Sequence, residues 1–287
     1  MVSGGLDLDA CEALAERVAR DAGATIRSAI GKQKVKQTKT SHADLVTETD
    51  QECERIIVRT IRETFPGHKF IGEEEVSETG VMPELTDDPT WMIDPVDGTT
   101  NFVHGFPFVC VCIGLCVEKR PVLGVVYNPV LGELFVAREG RGATLNGARI
   151  GVSGTADLKS AVFATEIGTV RDAATMDATY GRVSALTRET RSVRMCGSCA
   201  CNMTGVACGR LDGFYELGFG GPWDVAAAAC IVLEAGGVVM DPSGGPFNVM
   251  SRRVLCANGD GIGRAMAAVL GRIPPGPEDP PPLALLG

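Results

Sequence analysis

The sequence predicts a mixed α/β protein in which an α+β first half joins an α/β second half near Gly151. Three observations lead there. Two long amphipathic helix patterns open the chain, short apolar runs broken by Gly, Pro and Asn follow, and beyond Gly151 short strands alternate with helices. The 287 residues suffice for one large domain or two closely packed halves. Hydrophobic residues at 45% and charged residues at 22% give an ordinary globular balance. The longest apolar runs, such as Val109 to Val117, stop short of a membrane span. Met1 to Ala10 carries acids rather than the basic and apolar parts of a signal or transit peptide, so the expected compartment is cytoplasmic.

Leu6 to Ile30 reads as the first helix: Leu8, Cys11, Leu14, Val18, Ala22 and Ile26 recur at helical intervals, and Gly31 suits the C-cap. Lys32 to Ser41 is polar and basic without periodicity, a mobile or hairpin segment. Thr47 to Phe65 is the second helix, with Cys53, Ile56, Ile57, Thr60, Ile61 and Thr64 on one side and Pro66-Gly67 ending it. Strands are expected at Lys69 to Gly72, Thr90 to Ile93, Val109 to Glu118, Val122 to Tyr127 and Glu133 to Ala137, the later ones as an antiparallel meander. In the second half, strands fall near Ala161 to Thr165, Ser192 to Met195, Gly213 to Tyr215 and Arg253 to Ala257. Helices fall near Arg171 to Thr187, Ser198 to Cys208, Pro222 to Ala235 and Gly261 to Leu270. Residues 1–150 and 151–272 are the two expected units, and the proline-rich 273–287 is expected to be a disordered tail.

The eleven cysteines are odd in number and sit in apolar segments. Cys110, Cys112 and Cys116 alternate with Val111, Ile113 and Leu115, so they share one strand face. Buried free thiols of a reducing compartment fit this better than disulfides. Cys196, Cys199 and Cys201 have no second cysteine or histidine pair to complete four ligands, so zinc is not expected there. His42 and His68 are expected on exposed loops, and His104 is given no role. A net charge of −9 and a pI near 5.0 argue against nucleic acid, which rewards basic surfaces. An acidic protein that handles an anionic substrate needs something to reconcile the charges, and a bound divalent cation would do so.

The most informative stretch is Trp91 to Asn101, an apolar strand running into Asp94-Pro95-Val96-Asp97 and then Gly98-Thr99-Thr100. Pro95 turns the chain out of the sheet, Gly98 permits close backbone approach, and a helix starting there points N–H groups at an anion. Read alone, Asp94 and Asp97 are equally a capped turn. Glu73-Glu74-Glu75 after a strand reads as a polar loop, and Asp224 and Asp50 read as favourable acids at helix starts. The combination is what points to a cation and a phosphate.

Gly72-Glu73-Glu74, the run from Asp94 through Asn101-Phe102-Val103-His104-Gly105-Phe106-Pro107, and Trp223-Asp224 with Glu234 to Gly237 resemble the signatures of the inositol monophosphatase family, in order and spacing across residues 6–270. Arg194 to Asp224 is most similar to plant and green-algal members, described as acting on L-galactose 1-phosphate and myo-inositol 1-phosphate. The resemblance implies a layered α-β-α-β-α sandwich of the inositol monophosphatase and fructose-1,6-bisphosphatase type, and a homodimer. It also implies lithium-sensitive, magnesium-dependent phosphomonoester hydrolysis in inositol phosphate metabolism or ascorbate biosynthesis. Glu73, Asp94 and the Val96 carbonyl would hold one magnesium ion and Asp94, Asp97 and Asp224 a second, with a third, weaker ion near Glu73 that Lys39 approaches. Thr99, bonded towards Asp50, and Glu74 would orient the attacking water, so no covalent intermediate is needed. Asp97 and Glu216 would accept from substrate hydroxyls beside Gly197, Ser198 and Cys199, with Glu73, Val96, Gly98, Thr99 and Asp224 completing the pocket. The sequence departs from the family pattern by one residue inserted near Gly220-Gly221-Pro222 and by Cys199, Cys201 and Ala228 at positions of small residues.

Fructose-1,6-bisphosphatase and 3′-phosphoadenosine phosphatase activities are disfavoured because no long basic insertion receives a second phosphate. Histidinol-phosphate phosphatase stays as the alternative reading. A non-catalytic relative would lack a ligand, whereas Glu73, Asp94, Asp97, Thr99 and Asp224 are all present.

Overall fold

The computed structural model describes residues 6–32, 37–38 and 45–282. Its layers follow from the period of its elements, and strand β5 shows how, although it is the fifth in the chain. The chain opens with helix α1 (Leu8–Ala29), whose buried stripe Cys11, Leu14, Val18, Ala22 and Ile26 is the one the periodicity predicts. Strands β1 (Gln37–Thr38) and β2 (Leu45–Val46) pair antiparallel. Helix α2 (Glu48–Thr64) begins with a capping box in which Thr47 and Asp50 satisfy each other's first-turn donors. Then come β3 (Lys69–Gly72), α3 (Glu73–Thr79), β4 (Thr90–Asp97), α4 (Thr99–His104) and β5 (Cys110–Val117). The meander β6 (Arg120–Asn128), β7 (Glu133–Arg138), β8 (Gly142–Leu145) and β9 (Ala148–Arg149) completes a seven-stranded sheet in chain order from β3 to β9. Only β3 and β4 run parallel in it.

Along β5 the side chains alternate between two cores. Val111, Ile113 and Leu115 join Trp91, Ile93 and the buried stripes of α1 and α2, all nearly or wholly inaccessible to solvent. Each such fully buried aliphatic side chain stabilises the fold by about 1.5–3 kcal/mol. Cys110, Cys112 and Cys116 face the other way, into a second core with Met203, Val225 and Ala226 to Ala229.

That second core belongs to helices α6 (Cys199–Ala207) and α7 (Pro222–Glu234). Helix α7 lies directly on the sheet backbone: a Cβ at Gly124 would sit 2.0 Å from the Ala227 carbonyl oxygen. The far side of these helices meets a five-stranded sheet of β10 (Val162–Thr165), β11 (Ser192–Arg194), β12 (Gly213–Leu217), β13 (Val238–Met240) and β14 (Arg253–Ala257), ordered β11-β10-β12-β14-β13. Helices α5 (Ala173–Glu189) and α8 (Asp260–Leu270) cover its outer face through Leu186, Ile262 and Met266. The stack is therefore α-β-α-β-α.

Some details differ from expectation. The three acids after β3 form the first turn of α3 rather than a loop, where they favour the helix dipole. Strands β8, β9 and β13 carry no periodic signal at their lengths of 2–4 residues. His68 is half-buried, not an exposed loop residue: it accepts the Trp91 indole N–H at 3.0 Å and stacks on Phe65 at 4.8 Å. The first part of the supposed free tail packs back on the second half. Asp279 makes a buried ion pair with Arg182, and the Pro280 carbonyl accepts from Arg253 Nη1 at 2.6 Å. Lys39, His42 and residues 283–287 lie outside the described residues.

Candidate active site

Strand β4 breaks register with β5 between Asp94 and Asp97, where Pro95 has no N–H to give the ladder. Asp94 stays 3% exposed, and its Oδ1 accepts the Val96 N–H at 2.8 Å. Gly98 then turns the chain into α4 with φ at +94°, a conformation other residues resist. A Cβ there would also come within 2.9 Å of the Phe108 carbonyl oxygen.

Asp97 is clasped by the start of α6. Ser198 Oγ donates to its Oδ2 at 2.6 Å, Ala200 N–H to the same oxygen at 2.8 Å, and Cys199 N–H to Oδ1 at 3.2 Å. Asp224 stands in the first turn of α7, its Oδ2 accepting weakly from Gly221 N–H at 3.4 Å, and its carboxyl is within hydrogen-bonding reach of that of Asp94. Asp50 holds its place through the Thr47 main-chain and side-chain donors and receives Thr99 Oγ1 at 3.3 Å. Thr99 Oγ1 also lies 3.2 Å from the Val96 carbonyl oxygen. Glu216, on β12, is 7% exposed and its Oε2 has no hydrogen-bond partner among the described residues.

The electrostatics are those of crowded carboxyls. Burial, then Glu73, Asp97 and Asp224, push Asp94 well above the usual carboxylate range. Burial, then Asp97 and Glu73, do the same to Asp224. Glu216 is raised by burial and by Glu166, Asp224 and Asp97. Burial outweighs the donors around Asp97 and raises it too. Asp50 is pushed up to about 7, chiefly by burial, with Glu73 and Glu74 adding to it. The charged neighbours that raise Asp50, Asp94, Asp224 and Glu216 are other carboxyls, so among the described residues the cluster concentrates negative charge that a cation would offset. Its donors are carboxylate oxygens and, at Val96, a main-chain carbonyl, a hard set that fits a divalent cation such as magnesium.

Two residues that the sequence reading passed over hold this site together. Glu54, on α2, accepts Glu74 N–H at 2.8 Å and Glu75 N–H at 2.9 Å, which anchors the first turn of α3. Glu166 Oε1 accepts Cys196 N–H, Gly197 N–H and Asn202 Nδ2 at 2.7–2.8 Å, which shapes the loop carrying Gly197 and Ser198. Asn101 clamps the same loop from α4, donating to the Cys196 carbonyl at 2.7 Å. A cavity of about 870 Å³, lined by Leu85, Arg120, Leu233 and Phe247 among others, contains none of these residues. Convergent chemistry, not volume, marks the site.

Fold and cluster together define a layered α/β enzyme with a buried carboxylate centre. The sequence pattern of the inositol monophosphatase family matches residues 7–273. Inositol monophosphatase 2 of Solanum lycopersicum is 57% identical over 245 residues, 85% of this chain and 92% of the relative. Inositol monophosphatase 1 of Homo sapiens is 44% identical over 92% of this chain and 95% of its own. The solved structure of the inositol monophosphatase from Anabaena superposes with a TM-score of 0.79 at 33% identity, covering 94% of this chain and 98% of that one. The chain belongs to the inositol monophosphatase family, phosphatases of small phosphate monoesters that are generally metal-dependent.

Proposed function

We propose that this enzyme hydrolyses myo-inositol 1-phosphate, L-galactose 1-phosphate or both to the free polyol or sugar and phosphate, with magnesium as the cation. The observation that carries the reading is the convergence of Asp94, Asp97, Asp224 and the Glu73 charge: Asp94 and Asp224 are each raised by the other carboxyls of the cluster. In this reading Glu73, Asp94 and the Val96 carbonyl hold one magnesium ion and Asp94, Asp97 and Asp224 a second, with room for a third, weaker ion beside Glu73. When bound, magnesium supplies an activated water and a counter-charge for the leaving oxygen.

The protein's own groups then do the positioning. Thr99 Oγ1, held between Asp50 and the Val96 carbonyl, and Glu74, anchored through Glu54, take the attacking water's proton side. The N–H groups of Gly98 and Thr99 receive phosphate oxygens. Asp97, Glu216 and the loop of Gly197, Ser198 and Cys199 accept from or face ring hydroxyls, and Glu216 Oε2, which meets no donor among the described residues, is an acceptor for one. Lithium inhibition, a homodimer and a cytoplasmic location are part of the same proposal. The free state of all eleven cysteines supports the last.

The test is phosphate release from L-galactose 1-phosphate, myo-inositol 1-phosphate, histidinol phosphate and fructose 1,6-bisphosphate, each with and without magnesium. Release from the first two, dependent on magnesium and suppressed by millimolar-scale lithium, is expected. A preference for histidinol phosphate would move the substrate assignment, and lithium-indifferent turnover would remove that part of the proposal.

A further inference from the structure

Behind Asp97, on the face of β5 that meets α6, cysteine thiols gather that the proposed hydrolysis does not use. Cys110 and Cys112 are 0% exposed, with their Sγ atoms 3.7 Å apart, and Cys110 Sγ is 3.5 Å from Asp97 Oδ2. All three donor atoms lie within 4.8 Å of one another. The Cys201 thiol, on α6, hydrogen-bonds with that of Cys110. The 3.7 and 3.5 Å spacings match two edges of a metal tetrahedron. Metal–sulfur bonds of about 2.3 Å at tetrahedral angles put two sulfurs about 3.8 Å apart, and a sulfur and a carboxylate oxygen about 3.5 Å apart.

We propose that Asp97, Cys110 and Cys112 form a site for one thiophilic divalent cation of the zinc and cadmium kind, with Cys201 or water as the fourth ligand. This set differs from Cys196, Cys199 and Cys201, whose spacing in the sequence carries no such site. Two of its ligands come from alternate positions of one strand, so their side chains share a face by geometry. Thiolates select softer metals than the hard oxygen donors next door. Binding exchanges one divalent ion for two thiol protons, which pass to solvent, so the buried cluster gains no net charge. The ion would draw on Asp97, a carboxylate that the proposed magnesium site shares, so it inhibits the enzyme. The binding itself does not depend on the proposed reaction; only the inhibition does.

Cadmium alone is the probe, titrated into the full-length, reduced, magnesium-free protein and followed by sulfur-to-cadmium charge-transfer absorption. The expected band saturates at one ion per chain. It falls by about half or more in Cys112→Ser and in Cys110→Ser, and is unchanged in Cys208→Ser, at the other end of α6. Circular dichroism checks the fold of each variant. If Cys110→Ser does not fold, Cys112→Ser decides, since the Cys112 thiol is not bonded to Asp97. No band, or a band indifferent to the serine substitutions, overturns the site. In the assay with magnesium fixed, the half-inhibitory cadmium concentration should rise about tenfold in Cys112→Ser, the scale of a lost supporting ligand. Equal inhibition of both proteins would overturn the coupling to Asp97. Should the enzyme turn over no phosphate ester at all, the absorption arm alone judges the site, so the two readings fail separately.

Discussion

At the scale of single residues, Glu216 separates substrate recognition from chemistry. Its Oε2 is buried without a partner among the described residues, and burial with three neighbouring carboxyls raises its pKa well above the usual range. A hydroxyl-rich substrate resolves this by donating to it. Glu216→Gln keeps the shape and loses the charged acceptor, an interaction worth about 1.5–3 kcal/mol. The KM for myo-inositol 1-phosphate should therefore rise about tenfold or more with a smaller change in kcat. A kcat loss at unchanged KM would instead place Glu216 among the groups that act on the reacting phosphate. The main acids were legible in the sequence because chemistry and punctuation coincide there: Asp94 and Asp97 flank Pro95 and precede Gly98, and Asp224 opens a helix with an apolar body. Glu54 was not legible. It neighbours Cys53 on α2, and a pattern that counts apolar positions treats it as solvated, whereas it turns inward to accept from two main-chain amides of another element.

Helix α3 is the element on which that buried acid acts. Seven residues long, it has no side-chain cap at Gly72, and Glu54 supplies the missing acceptor from α2. Burial pushes Glu54 up to about 7 from an ordinary 4.5, against the two amide donors and with Glu74 and Glu73 adding to the rise. In the metal-free protein the folded state thus holds a proton that the unfolded chain releases. The resulting stabilisation is complete below pH 4.5 and lost as pH rises through about 7. It amounts to at most about 3 kcal/mol. Glu54→Gln, which cannot titrate, should flatten part of the fall in metal-free Tm across that window; curves of equal slope would show that Glu54 does not titrate in it. The same variant leaves one amide of α3 poorly met, so kcat should drop about tenfold to a hundredfold through displacement of Glu74.

For the whole molecule, the layered stack explains why the centre tolerates so many acids. Helix α7 rests on the backbone at Gly114 and Gly124 and brings Asp224 to the end of β4, while α6 brings its amides to Asp97. The packing of two cores holds the carboxyls together against their repulsion. A cation that binds only the folded state should relieve that repulsion. Magnesium at about a hundred times its dissociation constant stabilises by about 2.7 kcal/mol, so Tm near neutral pH should rise by several degrees and return on chelation. An unchanged Tm would argue against a cation in the cluster. Amphipathic periods and glycine punctuation made the long helices and central strands legible. The return of Asp279 to Arg182 was not, because a proline-rich segment shows no period and its anchor lies in another element. The gathering of Cys110 with Asp97 likewise depends on a register that no single segment encodes.

The most direct measurement is the magnesium-dependent release of phosphate from myo-inositol 1-phosphate by the wild-type enzyme and by Asp94→Asn, with circular dichroism confirming that the variant folds. Asp94 sits where the proposed magnesium sites join, so its loss should lower kcat/KM by more than about a thousandfold, roughly 4 kcal/mol of barrier, at any magnesium concentration. A folded Asp94→Asn that hydrolyses the ester at near wild-type rate, or a wild-type enzyme equally active in chelator, would contradict the assignment of the carboxylate cluster as the hydrolytic centre.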